Sequence, residues 1–373
     1  MSSPDQTTLA SRLRAKIRRE GAISFRDWMD AALYDEREGY YRRAGRPRWG
    51  RGGGDYRTSP ERSPLFAATF ARYFASLHAE LGAPSLWTIL EAGAGAGDFA
   101  RVALETLERD HPSVFQATRY YIDETSEDAR LRARENLVAF ADRIEFCRND
   151  GSRPSFEVGV IFSNELLDAF PVHRVRMREG GRLRELCVAL DEADAFCWSE
   201  QEPTTPQLEA HFARVGVALA DGQIAEVNPA AGEWIERAAK TLRRGYVVTV
   251  DYGAEAEELY GSPQRRDGTL RGFREHQFVA DVLQRPGEHD LTTTIDWTQI
   301  KRAGEAAGLE AISLERQDEF LLRAGLLDQL ERLTSRLDDE AERLRLRLGA
   351  REMILPGGMS ASFQVLVQRK RVA

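Results

Sequence analysis

Lysine is nearly missing from this 373-residue chain: four lysines stand against 48 arginines, and cysteine, methionine and histidine number three, five and six. Cys147, Cys187 and Cys197 show no C-x-x-C spacing, which excludes a disulfide framework and a zinc site and fits a reducing compartment. The histidines never form H-E-x-x-H, and no metal is expected. No stretch approaches the ~18 uninterrupted apolar residues of a membrane-spanning helix. The first 20 residues lack the apolar core of a secretory signal; they are arginine-rich like an organelle presequence, but Asp5 and the acidic-basic helix pattern weigh against one, so a cytoplasmic protein is expected. An excess of positive charge is missing too. The net charge is −8 and the arginines are spread along the chain, which argues against a nucleic-acid partner. What is present is a hydrophobic fraction of 42%, enough for a substantial core in one large domain or two intertwined ones.

Leu9, Leu13 and Ile17 recur at helical spacing within residues 7–20, and Ser24 is placed to cap a helix from Phe25 to Leu33. Glycines punctuate the arginine-rich residues 35–60, which read as a loop, and residues 64–81 return to helix. Strands are then expected at 86–91, 119–123, 144–147, 158–163, 246–251, 308–314 and 362–368. Helices fall near 98–109, 126–140, 206–219 and 229–243, with one charged helix over 326–349. This alternation predicts an α/β fold with a doubly wound parallel sheet covered on both faces. Segments at 172–177, 183–190 and 195–199, turning at Gly180-Gly181, predict an inserted antiparallel cap. Four consecutive parts follow: N-terminal helices and a glycine-rich loop (1–84), the first half of the sheet domain (85–171), the cap (172–225) and the second half (226–373).

The central signal is Glu91-Ala-Gly93-Ala-Gly95-Ala-Gly97-Asp98, where a strand hands over to a helix. Glycines there let backbone approach a ligand closely, with amide groups turned toward it. The dinucleotide fingerprint is G-x-G-x-x-G; here the third glycine comes one position early and an acidic residue precedes the first. The run resembles motif I of class I S-adenosylmethionine-dependent methyltransferases. Glu91 would repel a pyrophosphate and suits a ligand bearing ammonium and sulfonium charges. A second carboxylate is expected after the second strand to accept the ribose hydroxyls, and Glu124, 27 residues beyond Gly97, is favoured over Asp123. Asp150 follows the third strand, where an adenine contact or an ordinary turn aspartate is equally expected. Asn164 and Glu165 end the apolar fourth strand, and a polar pair there is costly unless it contacts substrate or caps the next helix. Leu326, Leu327, Leu330, Leu333 and Leu337 read as core or as the face of a homo-oligomer.

These segments resemble the MidA-type proteins, bacterial and mitochondrial methyltransferases whose mitochondrial members assist assembly of respiratory complex I. The matching text runs through Phe25 to Tyr34, Gly39-Tyr40-Tyr41, Gly54-Asp55 with Thr58-Ser59-Pro60-Glu61, and Glu91 to Asp98. It continues through Asn164-Glu165-Leu-Leu-Asp168-Ala-Phe-Pro171, Asp251-Tyr252-Gly253, Gly268 to His276, Pro286-Gly287 and Gln317 with Phe320-Leu321. Ala67, Asp123 and the arginine-rich stretch from Arg42 to Arg51 depart from the family's pattern. The resemblance implies a class I methyltransferase fold, S-adenosylmethionine as cofactor and, because mitochondrial relatives methylate an arginine, a protein substrate. Glu91, Gly93, Gly95, Gly97, Glu124 and Asp150 would bind the cofactor. Asp55, Thr58 and Ser59 would line its cleft from a lid. Glu165 would orient the acceptor guanidinium, with Asp168 supporting and Asn164 positioning. A small-molecule methyltransferase and a non-catalytic assembly factor that keeps the cofactor site are the alternatives.

Overall fold

The computed structural model describes residues 8–43, 63–148, 154–275, 277–355 and 362–371. The chain divides into two compact units. One comprises Arg57–Leu166, Trp234–Tyr252 and Arg302–Ala373; the other comprises Met1–Tyr56, Leu167–Glu233 and Gly253–Lys301. This partition differs from four consecutive parts: the helix Pro64–Glu80 belongs to the unit that holds the large sheet, and the other unit gathers the N-terminal helices, the cap strands and residues 253–301.

The first unit is built on seven strands: β1 (Trp87–Ala92), β2 (Thr118–Asp123), β3 (Ile144–Phe146), β4 (Phe156–Asn164), β5 (Leu242–Ala254), β6 (Leu309–Arg316) and β7 (Phe363–Lys370). Their order across the sheet is β3-β2-β1-β4-β5-β7-β6. The first five are mutually parallel, and β7 runs antiparallel between β5 and β6. Every residue of β1 is buried, as an apolar run covered on both faces demands. The strand order reverses at β1, with β2 on one side and β4 on the other. Doubly wound sheets open a ligand crevice at the carboxyl ends of their strands at such a switch point. Phe70, Phe74, Phe99, Phe162 and Phe320 pack beneath it, with the Phe99 and Phe162 rings stacked 4.4 Å apart.

In the second unit, Arg182–Leu190 pairs antiparallel with Ile23–Ser24, His173–Arg178 and Phe196–Gln201, and His173–Arg178 pairs in turn with Ile224–Val227. Helices Leu9–Glu20 and Phe25–Tyr34 bury Leu13, Ile17, Trp28 and Met29 in the same core as Val172 and Val188. Ser24 caps the second helix, its hydroxyl accepting from the Asp27 amide at 3.1 Å.

Some expectations are corrected. The single helix over 326–349 is two helices, Leu326–Thr334 and Glu340–Ile354. The Thr334 hydroxyl turns back to the Leu330 carbonyl, and the Asp339 carboxylate caps the new start through the Ala341 amide. The helix expected over 206–219 stops at Val215 because Gly216 adopts a left-handed conformation at its end. Elements with no counterpart in the sequence reading include Ile224–Val227, Ala256–Gly261, Trp297–Ala306, Gln317–Ala324 and the small sheet of Arg271–Arg274, Gln277–Phe278 and Asp290–Thr292.

Candidate active site

The turn after β1 is held from both sides. The Gly93 amide donates to the Asp123 carbonyl at 2.8 Å, and the Asn136 side-chain amide donates to Ala96 O at 3.2 Å and Asp98 Oδ1 at 3.1 Å. Gly97 opens the helix Asp98–Asp110, and a Cβ there would press against Leu137 Cδ1 at 3.0 Å and Ala133 at 3.3 Å. Gly95 differs: its φ is +55° and a Cβ would meet nothing within 4 Å. Gly97 therefore serves packing, while Gly95 faces open space.

Glu124 is brought onto that turn. Its Oε2 accepts from the Gly95 amide at 2.9 Å and its Oε1 from the Ser126 amide at 2.7 Å. Arg130 donates to the Glu124 carbonyl at 2.9 Å and to the Cys147 carbonyl at 3.0 Å, tying the ends of β2 and β3 together. Burial raises the Glu124 carboxyl above its ordinary range, against the pull of its backbone donors. Asp123 is half-buried, and its carbonyl serves Gly93.

Glu91 lies behind the turn. It is buried, and Tyr120 donates its hydroxyl to Oε2 at 2.7 Å. Burial pushes this carboxyl up to about 8, with Glu124 and Asp98 adding to the rise. The folded protein thus holds this proton more tightly than the unfolded chain. The associated stability is complete below about 4.5 and is lost as pH rises through about 8. Thermal melts of the ligand-free protein between pH 5 and 8 should show a downward slope that Glu91→Gln flattens, since glutamine accepts from Tyr120 without ionising. Equal slopes in both proteins would contradict the buried-acid reading.

At the end of β4, the Glu165 amide donates to the Val250 carbonyl at 2.9 Å, and the Asn164 amide nitrogen donates to Glu165 Oε1 at 3.0 Å. Glu165 has φ +50°, a left-handed conformation rare outside glycine that clusters at functional sites. The chain passes from the first unit to the second after Leu166. Asp168 is buried there, with Thr292 donating to its Oδ2 at 2.8 Å and Thr293 donating its amide to its carbonyl at 3.0 Å. Asp251, of the D-Y-G segment, is fully buried on β5 and accepts from the Tyr252 amide. His289 is buried with Nε2 on the Gln284 carbonyl. Asp150, Asp55, Thr58, Ser59 and His276 lie outside the described residues.

Sequence reasoning gave no site role to Tyr120, Ser126 or Asn136, and knew Thr292 only as part of the family-like segment Asp290-Leu-Thr292. Each acts through a partner far away in the chain or through its own backbone, so no local pattern announces it.

A family model for S-adenosyl-L-methionine-dependent methyltransferases matches residues 69–314. The chain belongs to this methyltransferase family. A COG1565 superfamily member from Burkholderia thailandensis, solved bound to S-adenosyl-homocysteine, superposes with a TM-score of 0.87 at 30% identity, covering 100% of this chain and 95% of that one. Protein arginine methyltransferase NDUFAF7 homolog, mitochondrial, of Drosophila melanogaster is 26% identical over 96% of this chain and 84% of its own. The Homo sapiens protein arginine methyltransferase NDUFAF7, mitochondrial, is also 26% identical, over 96% of this chain and 82% of its own. The MidA-type resemblance, the class I fold and the S-adenosylmethionine cofactor hold.

The cytoplasmic expectation does not: relatives from Drosophila melanogaster, Homo sapiens and Bos taurus are all named mitochondrial. That expectation rested on cysteine spacing and on Asp5 with the acidic-basic pattern of residues 7–20, and neither separates one reducing compartment from another. Among the described residues, no helix of the methyltransferase is long and apolar enough to cross a membrane.

The residues present fit the cofactor. Space at Gly95 lies against a carboxylate at the end of β2, where each oxygen that accepts one backbone amide retains a second lone pair for a hydroxyl. Calorimetry should therefore find S-adenosylmethionine bound about 10–150-fold more weakly by Glu124→Ala, the loss of charge-assisted bonds worth about 1.5–3 kcal/mol. Unchanged affinity would remove Glu124 from the site.

Proposed function

We propose that this methyltransferase acts on a guanidinium nitrogen of a protein arginine, with Glu165 as the residue that receives the acceptor. The observation that carries the reading is the Glu165 carboxylate. It stands at the carboxyl end of a central strand, in left-handed backbone, with one oxygen gripped by the Asn164 amide. Residues held in such conformations persist where the surrounding structure fixes them for a task. The names of the relatives, protein arginine methyltransferases, support arginine as the acceptor.

Bound S-adenosylmethionine supplies an already activated methyl group, so the chain's contribution is alignment and exclusion of water. Glu165 accepts two N–H groups of the planar guanidinium fork and localises its charge on the nitrogens facing the carboxylate. As the new N–C bond forms, the methyl's bond to the sulfonium sulfur would break, leaving S-adenosylhomocysteine, and the nitrogen would give up its proton to a Glu165 oxygen. Asn164 keeps the carboxylate from rotating. Asp168, three residues on, is buried and anchored by Thr292.

Incubation with S-adenosylmethionine carrying a heavy methyl group and a cell extract, followed by mass mapping, tests the acceptor. Heavy methyl on arginine side chains is expected. Label confined to small molecules, or to residues other than arginine, would overturn the reading.

A further inference from the structure

We infer that Asn164 belongs to the donor site as well, its Oδ1 receiving the ammonium of the amino-acid end of S-adenosylmethionine. This assignment rests on the cofactor alone and is independent of which acceptor is methylated.

An α-ammonium group brings three donors that must find acceptors on entering a shielded site. The sequence assigns its charge to Glu91, but that carboxyl is turned into the core beneath Tyr120. Both Glu124 oxygens already face backbone amides at the end where the ribose is expected. The ammonium needs another partner beside the glycine turn.

Asn164 is placed there. β1 and β4 pair in register through Ala92 and Ser163, so Asn164 is the next residue in its strand as Gly93 is in the other. The closeness continues past the strand ends, since Leu166 Cδ1 lies 3.0 Å from where a Gly93 Cβ would be. The amide's orientation follows from chemistry. A carboxylate only accepts, so the nitrogen must face Glu165 Oε1, at 3.0 Å, and the oxygen must point away from it. That oxygen, Asn164 Oδ1, is shielded from solvent and has no donor among the described residues. Buried acceptors are nearly always satisfied, and one left open beside a ligand site calls for a donor on the ligand. A neutral amide also suits a zwitterion better than an acid would, because it accepts from the ammonium without repelling the adjoining carboxylate. One amide plane would then hold the donor on one side and Glu165 on the other.

The test compares two ligands by calorimetry. S-adenosylhomocysteine carries the amino-acid end; 5′-deoxy-5′-methylthioadenosine keeps the adenosine and sulfur without it. Asn164→Leu and Asn164→Ala are each expected to weaken S-adenosylhomocysteine about 10–100-fold while leaving methylthioadenosine within about twofold. Near-ultraviolet circular dichroism identifies which variants are folded, and the comparison is read on those. Loss of both ligands to the same degree, or unchanged S-adenosylhomocysteine binding in Asn164→Ala or Asn164→Leu, would each overturn the assignment.

Discussion

Calorimetry on Gly95→Val is expected to show no measurable S-adenosylmethionine binding, a loss of more than about 100-fold, in a protein that still folds. The valine side chain would occupy the space that opens at Gly95, where a Cβ meets nothing within 4 Å in the protein itself. The backbone adds a separate cost. Gly95 sits at φ +55°, where a non-glycine residue is strained by roughly 1–2 kcal/mol and a β-branched one more. Gly95→Asn separates the two effects, because asparagine tolerates left-handed backbone yet fills the same space. Both variants should lose the ligand, and only valine should lower the melting temperature appreciably. A folded Gly95→Val protein that binds as tightly as wild type would place the cofactor elsewhere.

Glu165→Gln is expected to lower kcat by about 10²–10³, the scale seen when one preorganised charge partner of a transition state is removed, and to leave S-adenosylhomocysteine affinity within about twofold. Glutamine preserves size and can keep a contact with Asn164, so the change removes charge and little else. The carboxylate is proposed to act on the acceptor, and that separates its signature from Glu124→Ala, which should act on cofactor affinity. Single-turnover transfer to the mapped acceptor, with donor binding measured in parallel, distinguishes them. A wild-type rate in Glu165→Gln would remove this residue from the chemistry.

The parts of this site that sequence shows are the parts whose causes are local. β1 reads as a strand because a parallel strand buried on both faces is largely apolar, as Trp87, Ile89, Leu90 and Ala92 are, and the glycine spacing after it is a property of consecutive residues. Glu165 likewise stands out as a charge directly after an apolar strand. The direction of Glu91 was not readable. It depends on Tyr120 arriving from the neighbouring strand, a pairing set by sheet register. Strand alternation does not decide between Asp123 and Glu124, because β2 ends at Asp123; Glu124 lies past the strand and its direction is set by the Gly95 and Ser126 amides. Residues 252–307 carried no recognised elements for a similar reason. Their strands are two to four residues long and exist through pairings such as Gly272 with Leu291, which leave no periodic trace in the chain.

The central claim is that the turn at Gly93–Gly97 and the ends of β2 and β4 together hold the methyl donor. A crystal structure of this protein with S-adenosylhomocysteine tests it directly. The account predicts ribose hydroxyls on the Glu124 carboxylate, the amino-acid end beside Gly95 and Asn164, and the sulfur turned toward the end of β4 where Glu165 stands. Density for the nucleoside away from the glycine turn, with the Glu124 carboxylate still on the Gly95 and Ser126 amides and on no ligand atom, would contradict it.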